Sequence, residues 1–531
     1  MDGRRLRSAL MKRRPPPRRR KRAKNAAKHA RSHSAMARAV ELHEAGRIDD
    51  AVAQYRRALE SDPENAGALN NLGMAYHTRG DLDEAAACLR QALAVQPDHA
   101  GLHNTLGTIL CASRDFDLAL EAFDRAIALD PGHLDAHRNL AAFHEEHNRT
   151  AKASAAAERG LERFPGDPAL AVCAARCERR VGRADSALER LAAIPVTGLE
   201  PSLAGAIHYE LGRLHDRTGA FEAAFAHFET ANGIQAAEWS ATAERDNRTL
   251  AMVEHLRETV TRAWVESWPR FVPTEAPPAP VFLVGFLRTG TTLLDRILDS
   301  HPSIHTIEEQ PMVQNLINAV AGLPGGYPDA IARLTVSQCE QLRAAYLESA
   351  RERVPEAAPG AILVDKLPLN SIHIALIHRL FPDARIILTI RHPADVCLSC
   401  FMAEIQSSDA MSNFFTLEGT VRFYTRTMDL WCAYESLLPL TVHRVRYEAL
   451  VEDPEGETRR LTDFLDLPWH ENLLSHEAHA RRGPISSPSY ADVSEPIYQH
   501  ARYRWTNYAN PLRDALPALR PYEERFGYAL D

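Results

Sequence analysis

Long apolar runs are missing from this 531-residue chain: none approaches the ~20 residues that a membrane-crossing helix needs. The N-terminal stretch also lacks the apolar segment of a secretory signal. Eight cysteines are scattered without the paired spacings of a zinc site. Cys397-x2-Cys400 has redox spacing but falls inside an expected helix, where packing is the ordinary role. Such thiols fit a reduced, cytoplasmic protein. Basic charge is missing from the body of the chain. Residues 1–32 hold fourteen Lys and Arg and one acid, which leaves 48 basic against 69 acidic residues beyond them. Nucleic-acid binding is therefore not expected of the folded body. The leader, centred on Arg13-Arg-Pro-Pro-Pro-Arg-Arg-Arg-Lys-Arg22, has too little to bury and is expected to be disordered.

One absent lysine matters more than these. Val281 to Val284 reads as a short buried strand, ended by Gly285, and a loop runs to Gly290. From Thr291 the apolar spacing turns helical at Leu293, Leu294, Ile297 and Leu298. A strand, a glycine-bounded turn and a helix N-terminus together make an anion site, because the first backbone N–H groups lack partners and the helix dipole adds positive charge. Arg288, Thr289, Gly290, Thr291 and Thr292 are the candidate ligands. Gly285-x4-Gly290 matches the first half of a nucleotide-phosphate loop, but Thr291-Thr292 stands where Lys-Ser/Thr would follow. An NTPase or kinase reading would rely on Ile362-Leu-Val-Asp365 as its metal-binding strand. A second site argues otherwise. Ala384 to Ile390 is another buried strand, running into Arg391-His-Pro-Ala-Asp-Val-Cys-Leu-Ser399, with Pro393 opening a helix. Two anion sites suit a nucleotide with phosphate at both ends.

Residues 33–240 are repetitive. Pro63, Pro97, Pro131 and Pro165 recur every 34 residues; Gly46, Gly80 and Gly182 share that period, with Arg114 and Asn148 at the intermediate phases. Ala51, Ala85, Ala119, Ala153 and Ala187 keep register, and Tyr55, Leu89 and Phe123 follow four residues behind. With Leu72-Gly73-x2-Tyr76, Leu106-Gly107 and a later unit around Leu211-Gly212, the region resembles tetratricopeptide repeats, about six helix pairs in all. Stacked pairs form a superhelix whose usual ligand is a peptide or protein. Residues 241–277 read as a connecting helix and a proline-rich linker.

From Pro278 to the C-terminus the chain resembles the sulfotransferases that use 3′-phosphoadenosine 5′-phosphosulfate, most of all the tyrosylprotein enzymes. The expected fold is thus an N-terminal all-α tetratricopeptide superhelix and, over 278–531, an α/β sulfotransferase domain with a P-loop-like parallel sheet flanked by helices. The resemblance implies a 5′-phosphosulfate loop at Phe286–Thr292 and a 3′-phosphate site from Arg391 to Ser399. It makes Glu309, 21 residues after Arg288, the general base, with Glu308 or His305 as substitutes. It implies Lys366 on the leaving bridge oxygen and Tyr447 on the nucleotide. In a late loop it implies Ser489 as a transition-state donor and Arg504 as a phosphate clamp. No metal is expected. The sequence departs from the tyrosylprotein pattern at Pro311 and Asn315, where arginines would read acidic residues near the target tyrosine. The acceptor is left open among protein tyrosine, lipid, glycan and small molecule, and so is a homodimer. A repeat-based adaptor with an inactive nucleotide domain is the competing class.

Overall fold

A computed structural model describes residues 32–242, 247–273, 278–355, 360–475 and 502–528; the basic leader and Ser489 lie outside them. The chain divides into two compact units, Met1–Arg183 and Ala184–Asp531. Among the described residues no helix is long and apolar enough to cross a membrane.

The first unit repeats one supersecondary device. Residues 32–44 are helical, and the helices Ala66–Arg79, Ala100–Ala112, Leu134–Glu146 and Pro168–Arg180 begin 34 residues apart. Asn65, His99, His133 and Asp167 keep the same period, and each accepts the third backbone N–H of the helix it precedes. Between these lie Ile48–Ser61, Leu82–Val95, Phe116–Leu129 and Thr150–Arg163. Ala51, Ala85, Ala119 and Ala153 are fully buried, as close helix approach requires. A Cβ on Gly73 would meet Leu89 Cδ2 at 2.2 Å, so the glycine is the socket for the anchor of the next helix. The turn phase is left-handed throughout: Gly46, Gly80 and Gly182, but also Arg114 (φ 64°) and Asn148 (φ 53°).

The second unit opens with the helix Ala184–Ala192 and the pair Pro201–Arg217 and Phe221–Thr242. Five strands follow: β1 Val281–Gly285, β2 Ile304–Glu308, β3 Ile362–Lys366, β4 Arg385–Ile390 and β5 Thr441–Arg446. They form one sheet in the order β2-β3-β1-β4-β5, and every pairing is parallel. Because successive residues alternate faces, Phe282 and Val284 join Ile386 and Leu388 in one apolar cluster, while Val281 and Leu283 join Val364, Ile387 and Val445 in another. Helix Arg248–Thr259, in the stretch read as a connector, lays Leu250, Val253 and Leu256 into the first cluster. Order reverses around β1, whose neighbours are β3 and β4. In open parallel sheets the crevice beyond the carboxyl ends at such a reversal is where ligands bind.

Candidate active site

The carboxyl end of β1 runs into the loop Phe286–Gly290 and then the helix Thr291–Asp299. Arg288 and Gly290 both take left-handed backbone angles, φ 65° and 95°. Gly285 leaves no room for a side chain: its Cβ would lie 2.4 Å from Thr389 Oγ1 and 2.8 Å from Thr289 Oγ1. At Gly290 a Cβ would lie 2.7 Å from Tyr447 Cδ2, so Tyr447 closes the loop from the β5 side. Thr291 and Thr292 occupy the first turn of the helix. The hydroxyl of Thr289 donates to Phe286 O (2.6 Å) and shares a hydrogen bond with Thr389 Oγ1 (2.7 Å), which commits this side chain to shaping the loop.

The loops after β1 and β4 meet. Arg288 Nε donates to Ser399 Oγ at 3.1 Å, and Arg391 Nη1 donates to Arg288 O at 3.2 Å. The Arg391 guanidinium lies over the Tyr447 ring, 4.9 Å from its centroid. Five of the expected donor-site residues, Arg288, Gly290, Arg391, Ser399 and Tyr447, are therefore mutual neighbours. They come from three strand ends that are adjacent in the sheet.

A second constellation sits on the β3 side. Register pairs Glu308 with Lys366 across β2 and β3, and Glu309 N donates to Lys366 O at 2.8 Å. Lys366 Nζ donates to Glu309 Oε1 (2.8 Å) and Glu308 Oε1 (3.2 Å). Burial alone would push the ammonium down, but Asp295, Glu309 and Glu308 outweigh it and hold the group above its ordinary value. Glu308 is also bound by Arg296. The Glu309 side chain is 32% exposed against 15% for Glu308. Of the two acids Glu309 is the freer to meet a substrate. It too is left-handed, at φ 49°. His305 lies four residues before Glu309, roughly 13 Å away at ~3.3 Å per residue.

Several residues here escape the sequence reading. Asp295 is fully buried with neither carboxylate oxygen hydrogen-bonded, and burial pushes its carboxyl up to about 7 against the pull of Lys366. An acid inside the apolar stripe of the loop helix was its one visible sign. Ser371 Oγ donates to Gly285 O (2.7 Å), fixing the start of the loop. Asp365 faces the interior and accepts from the Tyr346 hydroxyl; burial raises it to about 7. That commitment weighs against Asp365 as the metal-binding end of an NTPase strand. Arg504 opens the short turn Arg504–Tyr508. Its guanidinium pairs with Asp216 of the helix Pro201–Arg217, at 3.2 Å from Nε and 2.6 Å from Nη2. Cys397 and Cys400 are buried in the core of the helix Pro393–Phe401, as packing residues are.

Residues 280–471 match the model of the sulfotransferase family. This region is a sulfotransferase-family domain. The segments 36–133 and 110–175 match models of the tetratricopeptide repeat, so the chain joins such repeats to the sulfotransferase domain. Similar curated proteins include an uncharacterized protein of Aquifex aeolicus, 28% identical over 255 residues that make up 45% of this chain and 32% of that one. A putative protein-tyrosine sulfotransferase of Caenorhabditis briggsae is 28% identical over 37% of this chain and 68% of its own length. Protein-tyrosine sulfotransferase A of Caenorhabditis elegans is 25% identical over 47% of this chain and 67% of its own. The match thus spans a third of the Aquifex protein and about two thirds of the nematode ones.

Proposed function

We propose that this protein transfers the sulfuryl group of 3′-phosphoadenosine 5′-phosphosulfate to a hydroxyl of an acceptor brought in with the help of the repeats. A protein tyrosine is the first acceptor to test. The reading is supported most by the Lys366–Glu309 pair at the sheet end that also carries Arg288, Ser399 and Arg391. The loop suits the donor in two respects: Arg288 and Arg391 adjoin it, and Gly285 and Gly290 let its backbone pack against Thr389, Thr289 and Tyr447 where a Cβ would collide.

In the reaction the acceptor oxygen bonds to sulfur as the bond from sulfur to the bridging oxygen breaks. Glu309 takes the hydroxyl proton, which leaves no charge stranded on the acceptor. Lys366, kept protonated by its acidic neighbours, stabilises the negative charge that collects on the bridging oxygen. Arg288 and the N–H groups at the start of the helix Thr291–Asp299 hold the transferring end, and Arg391 and Ser399 the 3′-phosphate. Arg504 and Ser489 complete the proposed donor contacts. The chemistry needs no metal, and a reducing, cytoplasmic setting belongs to the same reading. Acceptor recognition differs from that of the tyrosylprotein enzymes, since Pro311 and Asn315 replace the arginines expected there.

The test is incubation with sulfur-labelled donor and cell lysate, for the wild type and for Glu309→Gln. Label appears in an acceptor with the wild type and falls by about 10²–10⁴ in rate with the variant, which keeps its affinity for the 3′,5′-bisphosphate product. No labelled acceptor, or equal labelling by Glu309→Gln, sinks the assignment. The first of these outcomes would turn attention to a repeat-based adaptor.

A further inference from the structure

We propose that the helix pair Pro201–Arg217 and Phe221–Thr242 is a working part of the donor site, with Asp216 as its positioning residue. The inference rests on the donor reading above. It is carried by two sets of contacts inside the second unit.

The first set supports the helix that bears Ser399. Leu398, Phe401 and Met402 of Pro393–Phe401 and its C-terminal edge share an apolar cluster with Tyr209, Ala224, Phe228 and Ala231. Phe225 stacks on Phe401 with ring centroids 5.0 Å apart. Asn232, itself buried, donates to Phe401 O at 2.8 Å and accepts from the Tyr209 hydroxyl at 2.6 Å. One of the carbonyls that a helix end leaves without an intrahelical partner is thereby satisfied by the repeat pair. Leu398 packs on that pair while its neighbour Ser399 receives Arg288 Nε. The seat of the 3′-phosphate helix is built from repeat side chains.

The second set clamps the turn Arg504–Tyr508. Asp216 accepts from Arg504 and, at 2.6 Å, from the Tyr508 hydroxyl, so one carboxylate holds both ends of the turn. From the opposite side Asp395, in the first turn of the Ser399 helix, accepts Trp505 N at 2.8 Å. The Trp505 ring stacks on His392, centroids 5.0 Å apart and planes 16° from parallel, next in sequence to Arg391. Asp216 thus fixes the turn that braces the Arg391–His392 corner. Without it Arg504 is a half-buried cation with its ion pair lost, the turn shifts, and the brace on the corner loosens. Glu309 and Lys366, on the other side of β1, are untouched.

The test measures affinity for adenosine 3′,5′-bisphosphate by calorimetry, and donor KM and kcat in slow donor hydrolysis, on the full chain below its melting temperature. Asp216→Asn weakens nucleotide binding roughly tenfold, as expected for loss of a charge-assisted pair, and raises KM with kcat within about twofold. Asp216→Glu restores most of the affinity. Arg459→Ala, which removes an exposed pair with Glu455 on the helix Pro454–Phe464, leaves affinity unchanged. If Asp216→Asn does not fold, Tyr508→Phe, which removes the hydroxyl donated to Asp216, carries the test, with a weakening of severalfold expected. Wild-type affinity in Asp216→Asn, or equal losses in it and Arg459→Ala, overturns the inference while leaving the donor reading intact. Failure of the wild type to bind the bisphosphate overturns both.

Discussion

The two strand-to-helix junctions that flank the centre of the sheet solve one problem in opposite ways. After β1 the turn is made by backbone: Arg288 and Gly290 are left-handed, and Gly285 and Gly290 leave no room for a Cβ. After β4 the corner Arg391-His392-Pro393 holds no glycine and no left-handed residue. His392 instead caps the helix by accepting Ala394 N at 3.3 Å, and Pro393 starts it with a preset φ. The proposed contacts at the second junction come from side chains eight positions apart, Arg391 and Ser399. A site made of main-chain N–H groups is all-or-none, because any side chain added to it changes its shape. A site made of side chains is graded, because each can be shortened alone.

The sharpest way to break this comparison is Gly290→Ala. A left-handed non-glycine residue costs ~1–2 kcal/mol, and displacement of Tyr447 adds to it, so bisphosphate affinity falls roughly a hundredfold or more. Affinity near wild type would mean that the first loop does not enclose the anion. Arg391→Ala removes one charge-assisted contact of roughly 1.5–3 kcal/mol and lowers affinity by about 10- to 100-fold, with a modest drop in melting temperature from the lost bond to Arg288 O and packing on Tyr447. A loss as complete as that of Gly290→Ala would erase the distinction between junctions. Ser399→Ala, which deletes only the acceptor of Arg288 Nε, weakens binding about two- to tenfold by calorimetry.

The smallest effect is on stability. Each junction helix buries an aspartate, Asp295 raised to about 7 and Asp395 to about 6, both by burial. A carboxyl raised above its unfolded value of 3.8 contributes stability in full below that value and loses it as pH rises through the folded one. Asp395 has Trp505 N as a partner and Asp295 has no hydrogen bond. Melting temperatures of Asp295→Asn should therefore gain on the wild type between pH 5 and 8, and those of Asp395→Asn should gain less. Parallel curves for wild type and Asp295→Asn would show that this carboxyl does not titrate in that window.

Local order proved more legible in the sequence than long-range pairing. The 34-residue period located the turn positions, down to Arg114 and Asn148 standing at glycine phases, because each repeat is decided by contacts within one helix pair. Strands β1, β3 and β4 stand where apolar runs indicated. Strand β2 was harder to see: an edge strand is covered less, and Ile304-His-Thr-Ile-Glu308 carries polar residues at half-exposed positions. Pairings such as Arg296 with Glu308, or Arg504 with Asp216 some 288 residues away, leave no local trace. They are matters of which ends of the sheet and helices meet. The motif Arg288 to Thr292 announced a ligand loop, yet only packing distinguishes Thr289, which is tied into that loop, from its neighbours.

Arg288 and Glu309, the charged groups on either side of the β1 end, are both left-handed without being glycine. Any breeding scheme that rewards heat resistance alone would favour glycine at these two places, since relief of an unfavourable φ is among the easiest gains available. Each gain would remove the charge that the site is proposed to use. Durable and competent versions of this protein therefore pull apart at the same two codons, and a library screened for survival at high temperature would be expected to lose the proposed transfer activity first at positions 288 and 309.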